Sequence, residues 1–383
     1  MKSGVPGFQG LRLRQAREAM SLSITSLAAI VGVSKQAISQ YERGADSPGQ
    51  EVFDRLRNTL THEAHFFLKR PNNIFSVGTN FYRSMASTTK TARSKAEVWQ
   101  IWTRELISEV LEFVEFPVLN FPAFDDVPND VTMLGTDLIE AIASEVRERW
   151  NLGDGPITNL VEVAERNGVI IVRHSLDAET LDALSAWLEP EGFPFVALNA
   201  DKNVAVRSRA DIAHELGHLF LHRRVSMDHL RRSDLFRLIE NQAFRFGGAL
   251  LLPAHSFLED LYSLSLDGLQ SLKLKWKVSI ALMIERLRDL EILNHDQYRR
   301  LRINYSARQW SKKEPYDDEI AVEEPGFLTR ALNLMLEGHT HTIDQLSADT
   351  GFSRDWIERL LNVPPGLGSP KPQLKLLDFK RRA

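Results

Sequence analysis

The residues best suited to chemistry are two histidines with a glutamate between them, in the run His214-Glu215-Leu216-Gly217-His218. If this run is helical, residues four apart lie on one face, so both imidazoles can reach a single metal ion. Glu215 then lies about 100° round the helix, beside the ion rather than on it. There a carboxylate can take a proton from a reacting water. The spacing predicts a metal centre with Glu215 as its catalytic general base.

This run alone does not fix the third ligand of the ion. The chain contains no Cys, so the ligand must be a downstream His or carboxylate. His222 is nearest, but one straight helix can hardly wrap three consecutive turns around a tetrahedral ion, so we expect it to support the ligands or the fold. Glu240, at the start of a second apolar run, is the better alternative. Ser208 with Asp211 predicts a capping box at the start of the His helix.

The two runs together resemble the ImmA/IrrE family of metallopeptidases. In that family the His-Glu-x-x-His helix is followed by a Glu-x-x-Ala-x-x-Phe-Ala-like helix ending in Leu-Leu-x-Pro, and here the second run extends from Glu240 to Pro253, with Gly247 where Ala is usual. The resemblance implies one Zn²⁺ held by His214, His218 and Glu240. It also implies an endopeptidase in which zinc-activated water attacks a peptide bond. The family includes fused regulators whose proteolysis is undemonstrated.

A motif near the N-terminus predicts contact with DNA. Gly32 supplies a turn between two short helices, and Ser34 can cap the second by accepting a hydrogen bond from a backbone N–H. The first half of that helix keeps Lys35, Gln36 and Gln40 outward. In a helix-turn-helix this half enters the major groove, where amides and cations match base edges.

Residues 9–62 resemble the XRE family of phage-repressor-type helix-turn-helix domains, most distinctively in Gly32-Val33-Ser34 and Ile38-Ser39-Gln40-Tyr41-Glu42-Arg43-Gly44. Matched by position, Lys35, Gln36 and Gln40 fall where the family reads bases. Ile24 is a departure, because the family often has a Gln there that contacts the DNA backbone. Residues 1–70 carry ten Lys and Arg against six Asp and Glu, whereas the whole chain has a net charge of −4. This local excess suits one small DNA-reading module.

The 383 residues divide into four predicted parts. Residues 1–70 form an all-α helix-turn-helix domain, and residues 71–130 a helical, Pro-rich connector. Residues 131–310 form an α+β zincin-like peptidase domain with helices around a few antiparallel strands. Residues 311–383 comprise an acidic linker and a helical unit. In that unit, residues 346–357 repeat the helix, Gly turn and Ser cap of residues 27–38, but their balanced charge favours packing on protein over DNA.

Two functions fit these features. The first is a DNA-binding transcriptional regulator whose zinc endopeptidase domain cleaves a repressor, another regulatory protein or itself. The alternative is a non-proteolytic XRE-family transcription factor whose peptidase-like domain senses a ligand or partner. Both predict DNA binding and bound zinc, and only the first needs Glu215 for turnover. The expected partners are a duplex DNA operator and a second copy of the chain in a homodimer. No segment approaches the roughly 20 apolar residues that span a bilayer. We therefore expect a cytoplasmic protein without a membrane partner.

Overall fold

The computed structural model describes residues 4–71, 81–82, 89–123, 127–175, 182–188, 192–201 and 204–368. The predicted all-α region contains the helices α1 (Gly10–Ala19), α2 (Ile24–Val31), α3 (Lys35–Glu42) and α4 (Gln50–Leu60). A 3₁₀ turn follows at Ala64–Phe67, and a long helix, α5 (Lys90–Leu111), occupies the predicted connector. In the Pro-rich passage after α5, the side chain of Phe121 stacks on Phe220 inside a core.

The remaining elements surround a small sheet. Its strands are β1 (Phe81–Tyr82), β2 (Ile170–His174), β3 (Ala183–Leu188) and β4 (Phe193–Asn199). The helices are α6 (Thr136–Arg149), α7 (Leu160–Arg166), α8 (Ala205–Leu221), α9 (Met227–Arg231), α10 (Ser233–Leu251), α11 (Ala254–Glu259), α12 (Leu266–Trp276), α13 (Ile280–Asp289), α14 (His295–Ala307), α15 (Phe327–Glu337), α16 (Ile343–Thr350) and α17 (Arg354–Leu360). The predicted mixture of a helix-turn-helix, a small sheet with helices and a helical C-terminal unit is confirmed.

The sheet differs from the prediction in one respect. Its strand order is β1-β3-β4-β2; β3 pairs antiparallel with β1 and β4, but β2 pairs parallel with β4. The expectation of antiparallel strands alone was wrong, because β2 pairs with β4 rather than with β3, the next strand in the chain, and β4 runs in the same direction as β2. Hydrophobic pattern shows which residues are buried, but it does not show strand direction.

The sheet separates two hydrophobic cores. Successive strand residues point to opposite faces, so Ile170 and Val172 enter one core while Ile171 enters the other. The first core also contains residues of α1 to α5 and of α15 to α17. The second contains residues of α6 to α8, α10 and α12 to α14. The helices of the predicted helix-turn-helix therefore share a core with the connector helix and the C-terminal unit.

A buried ion pair joins the helix-turn-helix to α5. The guanidinium of Arg12 donates two hydrogen bonds to the carboxylate of Glu105, at 2.9 and 2.5 Å, and both side chains are almost wholly buried. The C-terminal unit packs beside this pair, with Gly351 so close to the backbone of Phe66 that an added Cβ would lie 2.8 Å from its Cα. The expectation that the Gly-turn repeat in this unit contacts protein agrees with that packing.

The acidic segment that follows α14, residues 311–325, is held against the starts of two helices by its carboxylates. Glu314 accepts hydrogen bonds from the backbone N–H groups of Ile280 and Ala281, at the start of α13. Glu323 accepts from Leu160 and Val161, at the start of α7. The first turn of a helix leaves N–H groups without intrahelical partners and carries partial positive charge, so a carboxylate there stabilises it. Among the described residues, no helix combines the length and apolar character needed to cross a bilayer.

Candidate metal centre and DNA-reading helix

Two glycines let helices α8 and α10 pack closely. A Cβ added to Gly217 would lie 2.9 Å from the carbonyl oxygen of Ala243, and one added to Gly247 would lie 3.1 Å from the backbone of Ala213. Both separations are tighter than ordinary van der Waals contact. From the sequence, Gly247 was only a departure from the ImmA/IrrE family, which usually has Ala there. Its lack of a side chain instead permits the close approach that brings Glu240 to the histidines.

Helix α8 begins earlier than the sequence predicted. Its first residue is Ala205, after Val204, and Ser208 already lies within the helix. The predicted capping box of Ser208 with Asp211 was therefore wrong. The Ser208 hydroxyl instead accepts a hydrogen bond from the guanidinium of Arg173 at 2.8 Å, which ties α8 to the end of β2.

The three predicted ligands lie together. The Nε2 atoms of His214 and His218 are 3.0 Å apart, and each is 3.4 Å from a carboxylate oxygen of Glu240. The donor atoms of all three residues lie within 4.8 Å of one another. Burial opposes ionisation of Glu240, but the hydrogen bonds from His214 and His218 outweigh it and lower its pKa to about 2. The group is thus a charged carboxylate facing two imidazole nitrogens.

His222 supports this group through a contact with His218. Its Nδ1 lies 3.1 Å from Nδ1 of His218, and its Nε2 lies 3.1 Å from the side-chain oxygen of Gln242. The Gln242 amide in turn donates to the backbone carbonyl oxygens of Val131 and Leu134. Burial, with a smaller contribution from His218, lowers the pKa of His222 well below its usual value. A neutral His222 held at both nitrogens fixes the orientation of the His218 ring.

Glu215 is fully buried and points toward the sheet. Its Oε2 accepts a hydrogen bond of 2.5 Å from the hydroxyl of Ser185, which lies in β3 opposite Val196 of β4. Sequence reasoning missed Ser185 and Gln242. A polar residue inside the apolar run 183–188 was the available signal for Ser185. Gln242 gave a weaker signal, a polar residue two positions after Glu240 on an otherwise apolar helix.

Phe244 contacts both this buried group and a cavity that the three predicted ligands do not line. The ring of Phe244, which is 40% exposed, lies 4.3 Å from the ring of His214. Phe244 lines a cavity of about 1030 Å³ together with Asp211 of α8 and Asn241 of α10. This volume is at the upper end of the range typical of ligand sites.

The residues predicted to read DNA lie on the surface of α3. Ser34 caps this helix as expected, since its hydroxyl accepts a hydrogen bond of 3.0 Å from the N–H of Ala37. Lys35 and Gln36 are exposed and Gln40 is half-buried. Within the described residues, the side chains at the start of α3 are therefore accessible to solvent. Gly32 has a φ of 73°, the left-handed conformation that a residue without a Cβ adopts readily.

An ion pair fixes α3 against α1. The guanidinium of Arg17 donates to both carboxylate oxygens of Glu42, at 2.5 and 3.1 Å, and also to the carbonyl oxygen of Leu22. Gly10 allows the two helices to meet, because an added Cβ would overlap the carbonyl oxygen of Tyr41. Ile24 occupies the first position of α2, next to the N-cap Ser23. The helix-turn-helix thus presents α3 in a fixed orientation.

Comparison with known proteins assigns both regions. Residues 164–288 match the peptidase family described as the IrrE N-terminal-like domain, and residues 13–60 match the family described as Helix-turn-helix. Over 72 residues the chain is 29% identical to an uncharacterized HTH-type transcriptional regulator, y4aM, of Sinorhizobium fredii (strain NBRC 101917 / NGR234). That match covers 18% of this chain and 50% of the relative.

Both resemblances stated from the sequence are confirmed. The chain joins a DNA-binding helix-turn-helix of XRE type to a domain similar to the ImmA/IrrE peptidases. A helix-turn-helix region and a peptidase-like region are thus joined in one chain, and the buried His-His-Glu group lies on the two helices α8 and α10 of the matched peptidase segment.

Proposed function

We propose that the chain is a transcriptional regulator that binds duplex DNA as a homodimer and cleaves a regulatory protein, or itself, with a zinc endopeptidase site. The observation that carries this proposal is the convergence of His214, His218 and Glu240. Two imidazole nitrogens and one carboxylate form a donor set used by zinc peptidases, which leave a fourth position open. Two ligands on a tetrahedral zinc lie about 3.3 Å apart, close to the separations of 3.0 and 3.4 Å found here.

The residues of the site have three roles: they hold the ion, transfer a proton and orient the general base. His214, His218 and Glu240 would hold the ion, which when bound acts as a Lewis acid on a peptide carbonyl and makes water more acidic. Glu215 takes a proton from the attacking water and passes it to the leaving amine. The hydroxyl of Ser185 holds one oxygen of Glu215, so the carboxylate enters the reaction already oriented. A substrate chain would approach through the cavity lined by Phe244.

The test of proteolysis compares wild-type protein with Glu215→Gln in cells. New protein N-termini are identified by N-terminal labelling and mass spectrometry. We expect a set of cleavages made by wild-type protein to be lost with Glu215→Gln, since loss of a general base slows catalysis about 10²–10⁴-fold. Glu337→Gln makes the same chemical change at an exposed position and should cleave normally. Identical N-termini from wild-type and zinc-loaded Glu215→Gln protein would reject the endopeptidase.

The test of the ligands is the zinc content of Glu240→Ala. We expect about one zinc per wild-type chain and a large loss of zinc from the variant, because no Cys is available to substitute. Glu337→Ala serves as the matched control. Undiminished zinc in a folded Glu240→Ala protein would remove Glu240 from the ligand set.

A non-proteolytic regulator is the second candidate, and one observation favours it. The helix-turn-helix shares a core with one face of the sheet through α5 and α17, so an event in the peptidase-like domain could reach the DNA-binding helices without cleavage. Such a regulator would retain normal gene regulation with Glu215→Gln while still depending on the metal ligands.

A further inference from the structure

A second cavity, of about 970 Å³, lies where four parts of the chain meet. Its walls come from the ends of α1 and α4 in the helix-turn-helix, from α5, from the end of β2, and from α15 and α17. His214, His218, Glu215 and Glu240 do not line it. The cavity is therefore separate from the proposed metal centre, and ligand binding in it does not require proteolysis.

Two cations face this cavity from rigid supports. Lys95, only 5% exposed, has its ammonium 5.0 Å from the ring centroid of Trp99. Arg359 lies 5.0 Å over the ring of Trp356. The two tryptophan rings meet edge to face at 5.7 Å and are both buried. Cation–π contact with fixed rings restricts the positions of both charges, so less conformational entropy is lost when an anion binds.

The carboxylates of the cavity have partners of their own. Glu324 pairs with Arg173 at 3.1 Å. Glu358 accepts a hydrogen bond of 2.8 Å from the N–H of Gly366 and lies 3.6 Å from Arg354. In the described part of the chain, no carboxylate forms an ion pair with Arg359. The charge of Arg359 is thus available to a ligand.

A buried histidine also lines this cavity. His174, at the end of β2, is buried against the edge of Trp99 at 5.0 Å. Burial, reinforced by the charges of Arg359 and Lys95 and opposed by a hydrogen bond that His174 donates to the backbone of Arg359, lowers the pKa of His174 to about 3. The wall of the cavity therefore contains a neutral imidazole beside two cations.

We propose that this cavity binds a small molecule bearing a carboxylate or phosphate group, with Arg359 and Lys95 as its charged contacts. The volume suits a metabolite-sized ligand, and charge-assisted hydrogen bonds to Arg and Lys are the common means of holding such anions. A ligand there contacts the helix-turn-helix at Ala19, Met20 and Thr61. Its occupancy is thereby linked to the docking of the DNA-binding helices.

The test uses the full chain and three probes: inorganic phosphate, succinate and glucose 6-phosphate. Each is titrated at constant ionic strength, set with sodium chloride, by calorimetry and by thermal unfolding. We expect at least one probe to bind and to slow amide hydrogen exchange in residues 18–21 and 358–364. Arg359→Ala and Lys95→Met should each weaken that binding about tenfold, while Arg359→Lys should retain most of it. Arg300→Ala, which removes an exposed arginine from α14, is the matched control.

Three results would overturn the proposal. One is failure of all three probes to bind at about 10 mM, a concentration that detects millimolar dissociation constants. Another is an Arg359→Ala variant that binds the probe as well as Arg300→Ala does. The third is binding that is lost with Lys35→Ala but kept with Arg359→Ala, which would assign the anion to the DNA-reading helix.

Discussion

The candidate metal centre and the helix-turn-helix are held in place by different kinds of contact. His214, His218 and Glu240 come from two helices that follow each other closely in the chain, and their positions depend on helical spacing and on the close approach of α8 and α10. The orientation of the helix-turn-helix depends on Arg12 and Glu105, which are 93 positions apart. One region is therefore defined by local sequence and the other by long-range docking.

This difference has a functional consequence. We expect the site on α8 and α10 to keep its ligand geometry when the docking of the helix-turn-helix changes, because His222 and Gln242, which support His218, lie at the end of α8 and on α10. The DNA-binding helices contact α5 and the C-terminal unit through a shared core. We expect changes in that core to alter DNA binding while leaving metal affinity intact.

The largest effect expected from a single change is that of Glu105→Ala. It leaves the Arg12 guanidinium buried beside Phe66 without its carboxylate, and breaking a buried ion pair from one side destabilises a protein by about 3–5 kcal/mol. Urea unfolding should show this loss, and zinc affinity should stay unchanged. Glu115→Ala, an exposed change just after α5, should shift stability by less than about 0.5 kcal/mol. Equal stability of the two variants would contradict the docking role of Glu105.

A smaller effect is expected on the metal side from Gln242→Leu. The substitution removes the hydrogen bond that holds Nε2 of His222, and loss of such a support lowers metal affinity about 10–100-fold. Competition with a chelator measures the change. Asn241→Leu alters the adjacent, exposed residue of the same helix and should bind zinc normally. If both variants bind zinc equally, His222 does not orient His218 through Gln242.

The DNA-reading assignment predicts a comparable effect for Gln36→Ala. An operator selected from random duplexes with the wild-type chain provides the ligand. We expect Gln36→Ala to lose about 1–3 kcal/mol of binding free energy and to relax the preference at one base pair, as removal of a base contact does. Gln50→Ala, an exposed glutamine on α4, should bind as wild type. Unchanged affinity and preference for Gln36→Ala would assign base reading to other residues.

Features that depend on local sequence could be predicted, whereas features that depend on long-range contacts could not. Helical spacing was enough to bring His214 and His218 together, and Ser34 indicated its own cap because N-capping is a local property. Ser185, which holds Glu215, comes from a strand that only the folded sheet places beside α8. The parallel pairing of β2 with β4 and the Arg12–Glu105 ion pair are likewise long-range features. No local pattern specifies them, because the partner residues lie in elements distant along the chain.

The smallest predicted effect is the loss of stability in acid that comes from a buried histidine in the core shared by the helix-turn-helix, α5 and the C-terminal unit. His62 is stacked on Phe66 at 3.9 Å and on Trp356 at 5.2 Å. Burial, with a smaller contribution from Arg12, lowers its pKa to about 3. The unfolded chain protonates a histidine near pH 6.5, so below that pH it binds a proton that folded His62 does not accept. The contribution of His62 to the free energy of unfolding is therefore fully present above about pH 6.5 and falls as the pH drops toward 3.

His62→Phe separates this contribution from the other titrations of the chain. Phenylalanine can stack on the same two rings but takes up no proton, so the variant should lose roughly 1 kcal/mol less stability than wild type between about pH 6 and pH 5. His174 remains in the variant and still contributes in the same direction, since its pKa is also about 3. Urea unfolding at the two pH values gives the difference. His255→Phe, at an exposed position, is the matched control and should keep the full wild-type dependence. A His62→Phe protein as acid-sensitive as wild type would show that His62 is protonated in the folded protein. The acid sensitivity would then come from other groups.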